Sequence, residues 1–252
     1  MNNYVRLILV LFFSLLSCNK ANETDHSLTL LEYQELGIPD YNSVWSMEDY
    51  SNAFFVLNTL KYENYKALPV RESEKSGVLF SRMISIDNLS FLRDEALPLW
   101  ARADMIKWFI NTLMELKVVY TNVGTERQYY VRELMDIDIF RVSVAHKMLE
   151  LGQKINESND PSDIAINSDY SHIQKMYLDI LVELLGEQQH TSLYREQTLE
   201  LLADSLSSSV RRNMEWFDKD ASAYIKNGML GVIESTSSRK IRTDYKELTD
   251  IL

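Results

Sequence analysis

What most limits this chain is a shortage of residues that let a backbone turn. It holds 7 Gly and 4 Pro in 252 residues, well below the roughly 12% usual for the pair. Sandwiches and barrels need a turn signal about every 8–12 residues, so that shortage argues against them and for long, seldom interrupted helices. A hydrophobic share of 46% is ordinary for a folded domain and supplies a core. The expectation is an all-α fold, a single bundle of about eight helices, with a solenoid of helical hairpins as the alternative architecture.

Apolar spacing places the elements. A short helix is expected over Leu28–Leu36, stopped by Gly37 and Pro39. Ser46 with Asp49 reads as an N-cap followed by an acid in the first turn of Met47–Leu68, and Pro69 ends that helix. Ser73–Ile86 follows, with Gly77 marking a close contact. Pro98 opens Leu99–Tyr120, whose wide apolar face, Trp100 included, predicts a central helix. Thr125 and Gln128 have capping-box spacing before Glu126–Leu151, with Gly152 as its stop. The polar stretch Gln153–Asp169 is long for a helix connection. Tyr170–Leu185 is expected to end at Gly186, and Ser192–Leu206 to break at Ser207–Ser209. Val210–Ile233 and Lys240–Leu252 close the chain.

The N-terminus has a different character. Met1–Arg6 is polar with one positive charge, and Leu7–Leu16 is almost wholly apolar. Ten helical residues rise about 15 Å, half a bilayer core, which suits the apolar region of a signal peptide and not a membrane span. Leu15-Leu16-Ser17-Cys18 then resembles the lipobox of bacterial lipoproteins, and Ser17-Cys18-Asn19-Lys20 is similar to lipoproteins of Bacteroidota. The resemblance covers this first segment alone. It implies diacylglycerol on the Cys18 thiol, cleavage before Cys18 and acylation of the new amine. It also implies a place in the outer membrane, since Asn19 stands where an inner-membrane retention signal has Asp. The periplasmic face is favoured over the cell surface, because Glu23 and Asp25 form only a thin acidic cluster. The expected organisation is signal peptide 1–17, lipidated tether 18–27 and helical domain 28–252. Two acyl chains anchor a protein stably, so no transmembrane helix is required.

Cys18 is the only cysteine, so the chain beyond it has no disulfide, thiolate nucleophile or cysteine-ligated metal. The net charge of −11 disfavours nucleic acid, which demands a basic face, and adhesion to anionic lipid. Glu187-x-x-His190 matches half of a carboxylate-bridged di-iron pattern, but the other such pair, Glu23-x-x-His26, lies in the tether. Asp169 with His172 reads as a helix cap, and His146 as a satisfied histidine at the border of an apolar face. Asp218-Lys219-Asp220 begins like a calcium loop and fails where Gly and a final acid are needed, at Ala223 and Met229. Ser237-x-x-Lys240 lacks the companion Lys-Thr-Gly of serine enzymes. No metal site, no cofactor and no catalytic motif follow from these residues.

What remains is an anchor and a helical body. The leading expectation is a non-enzymatic envelope module that binds a partner protein, with an immunity lipoprotein against a basic toxin as one form the charge permits. The alternative is a ligand- or glycan-binding envelope lipoprotein, which exposed aromatics near Gln153–Asp169 would favour. The basic patches Arg211-Arg212 and Arg239-Lys240-Arg242 are candidate contacts for an acidic partner.

Overall fold

The computed structural model describes residues 25–121, 130–158, 161, 170–190 and 194–252. Cys18, the cap pair Thr125 and Gln128, Asp169 and the side chains of His172 and His190 lie outside the described residues. Among the described residues the chain is all-α, a bundle of nine helices without a strand. They are α1 (Leu30–Glu35), α2 (Met47–Asn64), α3 (Gly77–Met83), α4 (Leu99–Thr121) and α5 (Val131–Glu157), then α6 (Tyr170–His190), α7 (Glu196–Asn213), α8 (Lys219–Ser235) and α9 (Arg239–Ile251).

Helix starts follow local chemistry. Thr29 with Glu32 and Ser46 with Asp49 each form a reciprocal capping box, which satisfies orphan N–H groups at both ends of the motif. Asp218 and Ser238 cap α8 and α9. Gly37 ends α1 with φ 95°, the left-handed conformation in which a Cβ is strained.

Helix stops depart from expectation. Ser73–Ile86 shrinks to the seven residues of α3, followed by a 3₁₀ stretch over Ile86–Arg93. A Cβ on Gly77 would sit 2.3 Å from the Arg71 carbonyl oxygen, so the close contact is real but is made to a loop backbone. Gly152 does not stop α5, Gly186 does not stop α6, and Ser207–Ser209 lie inside α7. The break comes at the 3₁₀ turn Met214–Trp216.

The helices stack in hairpin fashion within the bundle. Contacts Phe109–Phe140 and Tyr120–Tyr130 set α4 antiparallel to α5. Alternate helices run parallel. Tyr50 meets Phe109 while Lys61 reaches the Val118 carbonyl, aligning α2 with α4. Tyr177 stacks on Phe217 while Gln189 bonds the Gly228 carbonyl, aligning α6 with α8. The most enclosed helix is α5, not the expected α4: it packs against α4, α6 and α7. Trp100, expected in the core, is 44% exposed near the start of α4.

Asp25 and Ser27, which the sequence places in the expected tether 18–27, make contacts with the body. The Asp25 carboxylate accepts hydrogen bonds from the Ser27 hydroxyl (2.5 Å) and from Ser73. Lys75 Nζ donates to the Asp25 carbonyl at 3.1 Å, and Ser27 is buried. Among the described residues, the packed body includes Asp25 and Ser27.

Candidate functional site

Three helices bring ionisable groups together inside the bundle. Lys117 of α4 places Nζ 2.9 Å from Asp138 Oδ1 of α5 and 2.5 Å from Glu187 Oε1 of α6. Arg141, one turn after Asp138, holds Asp138 Oδ1 at 3.1 Å and grips Glu183 of α6 through both terminal nitrogens, at 3.2 and 2.8 Å. Asp138 is 0% exposed. Burial pushes its pKa up to about 6, Lys117 and Arg141 pull it down, and Glu187 pushes it further up. A second cluster sits nearer the start of α5. There Asp136 pairs with Arg71, and Glu133 accepts the Arg71 backbone N–H at 2.8 Å. Asp138, Arg141, Asp136 and Glu133 are buried, whereas Glu183, Glu187 and the loop residue Arg71 reach the surface, so these clusters tie helices and a loop together.

A third cluster faces a cleft. Tyr177 of α6 bonds Ser209 Oγ at 2.8 Å and accepts from Asn213 Nδ2 at 2.7 Å. The Asn213 amide also meets His146 Nδ1 of α5 at 3.1 Å. His146 Nε2 lies 2.9 Å from Glu150 Oε1 without hydrogen-bond alignment. Burial lowers the imidazole pKa, so His146 is neutral at pH 7. The cluster contains Ser, His and Glu, but Asn213 stands between them. Ser209 is bonded to Tyr177 and His146 to Asn213, so no imidazole rests on a hydroxyl nucleophile here.

Tyr177 forms the back wall of a cleft of about 510 Å³ between α6, the turn Met214–Trp216 and the start of α8. Its apolar lining includes Leu178, Trp216, Phe217 and Tyr224, and polar groups Gln174, Lys175, Asp218 and Asp220 surround the mouth. Tyr224 is 51% exposed. The Tyr177 and Phe217 rings lie 6.2 Å apart at 22°, which fixes the rear of the cleft. One oxygen of Asp218 accepts the Ala221 N–H as a helix cap. Gln174, Lys175 and Asp220 make no hydrogen bond or ion pair among the described residues. A cleft of this volume, apolar inside with a few polar groups at its rim, has the ordinary form of a ligand site.

The candidates read from sequence are dispersed. Glu187 is inside α6 and serves Lys117. Ser237 bonds Glu196 at 3.1 Å, while Lys240 pairs with Asp204 and Asp244, so the two do not act together. Arg211 pairs with Glu247, and Arg242 donates to the Thr236 carbonyl. His146 is buried as expected, with Nδ1 bonded to Asn213, but its buried Nε2 has no aligned hydrogen bond. The cleft is not legible in the sequence: its residues come from three helices and a turn, and of them only Asp218 and Asp220 stand out there, as the start of a failed calcium loop. Among the described residues no three His, Cys, Asp or Glu side chains converge as a metal site, and no helix is long and apolar enough to cross a membrane. No family model, no curated protein and no solved structure matches the chain.

Proposed function

We propose that this chain is an outer-membrane lipoprotein, acylated at Cys18 and held on the periplasmic face, that binds a glycan-type ligand without transforming it. The observation that carries the ligand reading is the cleft bounded by Tyr177, Trp216, Phe217 and Tyr224. Aromatic faces carry negative quadrupole charge and attract the partly positive C–H faces of sugar rings. Gln174 and Asp220 offer acceptors to sugar hydroxyls, which are abundant donors. Support for the anchor comes from the lipobox pattern and from the docked Asp25. Seven residue steps lead from Cys18 to Asp25 and reach at most about 25 Å when extended, so the body would ride close to the bilayer.

The test is calorimetric titration of the acylated chain in lipid nanodiscs with a panel of oligosaccharides. At least one should bind, and Trp216→Ala or Tyr224→Ala should weaken it tenfold or more with helicity unchanged. Absence of binding across the panel, or binding indifferent to both substitutions, would sink the glycan reading. A second reading, recognition of a partner protein, rests on a different observation. Phe55 and Tyr62, two turns apart on α2, are 77% and 80% exposed. Exposed aromatic anchors are characteristic of protein interfaces. Crosslinking in intact cells should then give one dominant partner that Phe55→Ser with Tyr62→Ser removes.

A further inference from the structure

Beside the aromatic cleft lies a second hollow of about 620 Å³, lined by His146, Glu150, Gln153, Lys154, Glu157, Arg212 and Trp216. Trp216 belongs to both walls. The two hollows are therefore neighbours on either side of one indole. Their chemistry differs. The aromatic cleft has Asp218 and Asp220 at its mouth. The second hollow has two cations, Lys154 and Arg212, that make no ion pair among the described residues.

Among the described residues that lack of ion-pair partners sets Lys154 and Arg212 apart from the neighbouring cations. The adjacent cations are engaged: Arg211 with Glu247, and Lys147 with Glu150. Glu150 is offset by Lys147 at 2.7 Å, while the neutral His146 ring lies 2.9 Å from it. Glu157 is the one other acid in the lining, against Lys154 and Arg212. The balance of uncommitted charge is positive, on a molecule that is otherwise acidic.

We propose that the binding site continues across Trp216 into this hollow and that its second half takes carboxylates, so that the ligand class is an acidic oligosaccharide. The proposal rests on the glycan reading above and specifies it. One sugar would stack in the aromatic cleft, where Asp220 and Gln174 accept from hydroxyls. The next would carry its carboxylate toward Arg212 and Lys154, whose N–H groups donate charge-assisted hydrogen bonds. A nucleotide would also offer a ring and an anion, and AMP is the probe that separates it from a uronate. A uronate chain meets donors and acceptors in the order the two hollows present them.

The experiment uses the full acylated chain in lipid nanodiscs. The probes are trimers of galacturonate, glucuronate and mannuronate, their neutral counterparts, and AMP. The expected result is at least one acidic trimer binding ten times or more tighter than its neutral counterpart, with the advantage shrinking as salt rises. Arg212→Gln with Lys154→Gln should abolish that advantage with helicity unchanged. Arg211→Gln, which removes an engaged cation next in the chain, should keep it. Equal binding of acidic and neutral trimers by the unaltered chain would overturn this proposal and leave the glycan reading standing. Failure of every trimer would remove both. AMP binding tighter than any trimer would overturn both in favour of a nucleotide.

Discussion

Asp138 shows how a charged residue becomes a core residue. On sequence it sits between Ile137 and Ile139 in a helix of mixed character; in the fold it has lost all contact with solvent. Burying an ionised carboxylate is costly unless cations meet it, and Lys117 and Arg141 do so from two helices. The compensation is incomplete, since Asp138 Oδ2 and Arg141 Nε have no hydrogen-bond partner. That residue of desolvation is why the carboxyl titrates at about 6, above the ordinary value near 4. The folded state thus binds this proton more tightly than the unfolded chain. Its contribution to stability is fully present below about pH 4 and is lost as pH rises through 6, to the extent of about 3 kcal/mol at most. Asp138→Asn should flatten that part of the stability profile, measured by urea unfolding at pH 4.5 and pH 7.5; an unchanged slope would refute the assignment. His146 acts in the opposite sense. Its lowered pKa makes the fold lose stability as pH falls below the unfolded value of about 6.5. The two effects oppose one another in the same pH window, so the single variants are the clean readout.

At the scale of elements, caps were more legible than stops. Ser46 with Asp49 was readable because a cap is a local contract between a side chain and N–H groups three residues away. Stops at Gly152, Gly186 and Ser207–Ser209 failed because tertiary packing outweighs a propensity cost of about 1 kcal/mol per glycine. The two kinds of glycine can be told apart. A Cβ at Gly186, inside α6, meets nothing within 4 Å. Gly186→Ala should therefore raise stability by about 0.5–1 kcal/mol, through helix propensity and a less flexible unfolded chain. At Gly77 the same atom would strike the Arg71 carbonyl at 2.3 Å. Gly77→Ala must move backbone and should cost about 1–3 kcal/mol, the range usual for overpacking. Chemical denaturation of both variants decides the matter, and a stabilised Gly77→Ala would show that the loop at Arg71 yields freely.

Across the whole molecule, anchor and body make separate claims. Cys18→Ala should abolish incorporation of labelled palmitate and release the chain from the membrane fraction. Retention of label would refute the lipobox reading, while loss of label with an intact body would leave the cleft open to study in solution. The sequence by itself determined the helical class, the positions of most helix starts and the one thiol able to carry a lipid. Those features are local: they depend on turn-forming residues, period and caps within a few positions. What only the tertiary structure decided is which groups meet. The Lys117–Asp138–Arg141–Glu183–Glu187 set joins residues up to 70 positions apart. The cleft draws Tyr177 from α6, Trp216 from a turn and Tyr224 from α8. No spacing rule relates those positions. They become neighbours because α6 and α8 run parallel while α5 occupies the centre, an outcome of how the described helices share buried surface.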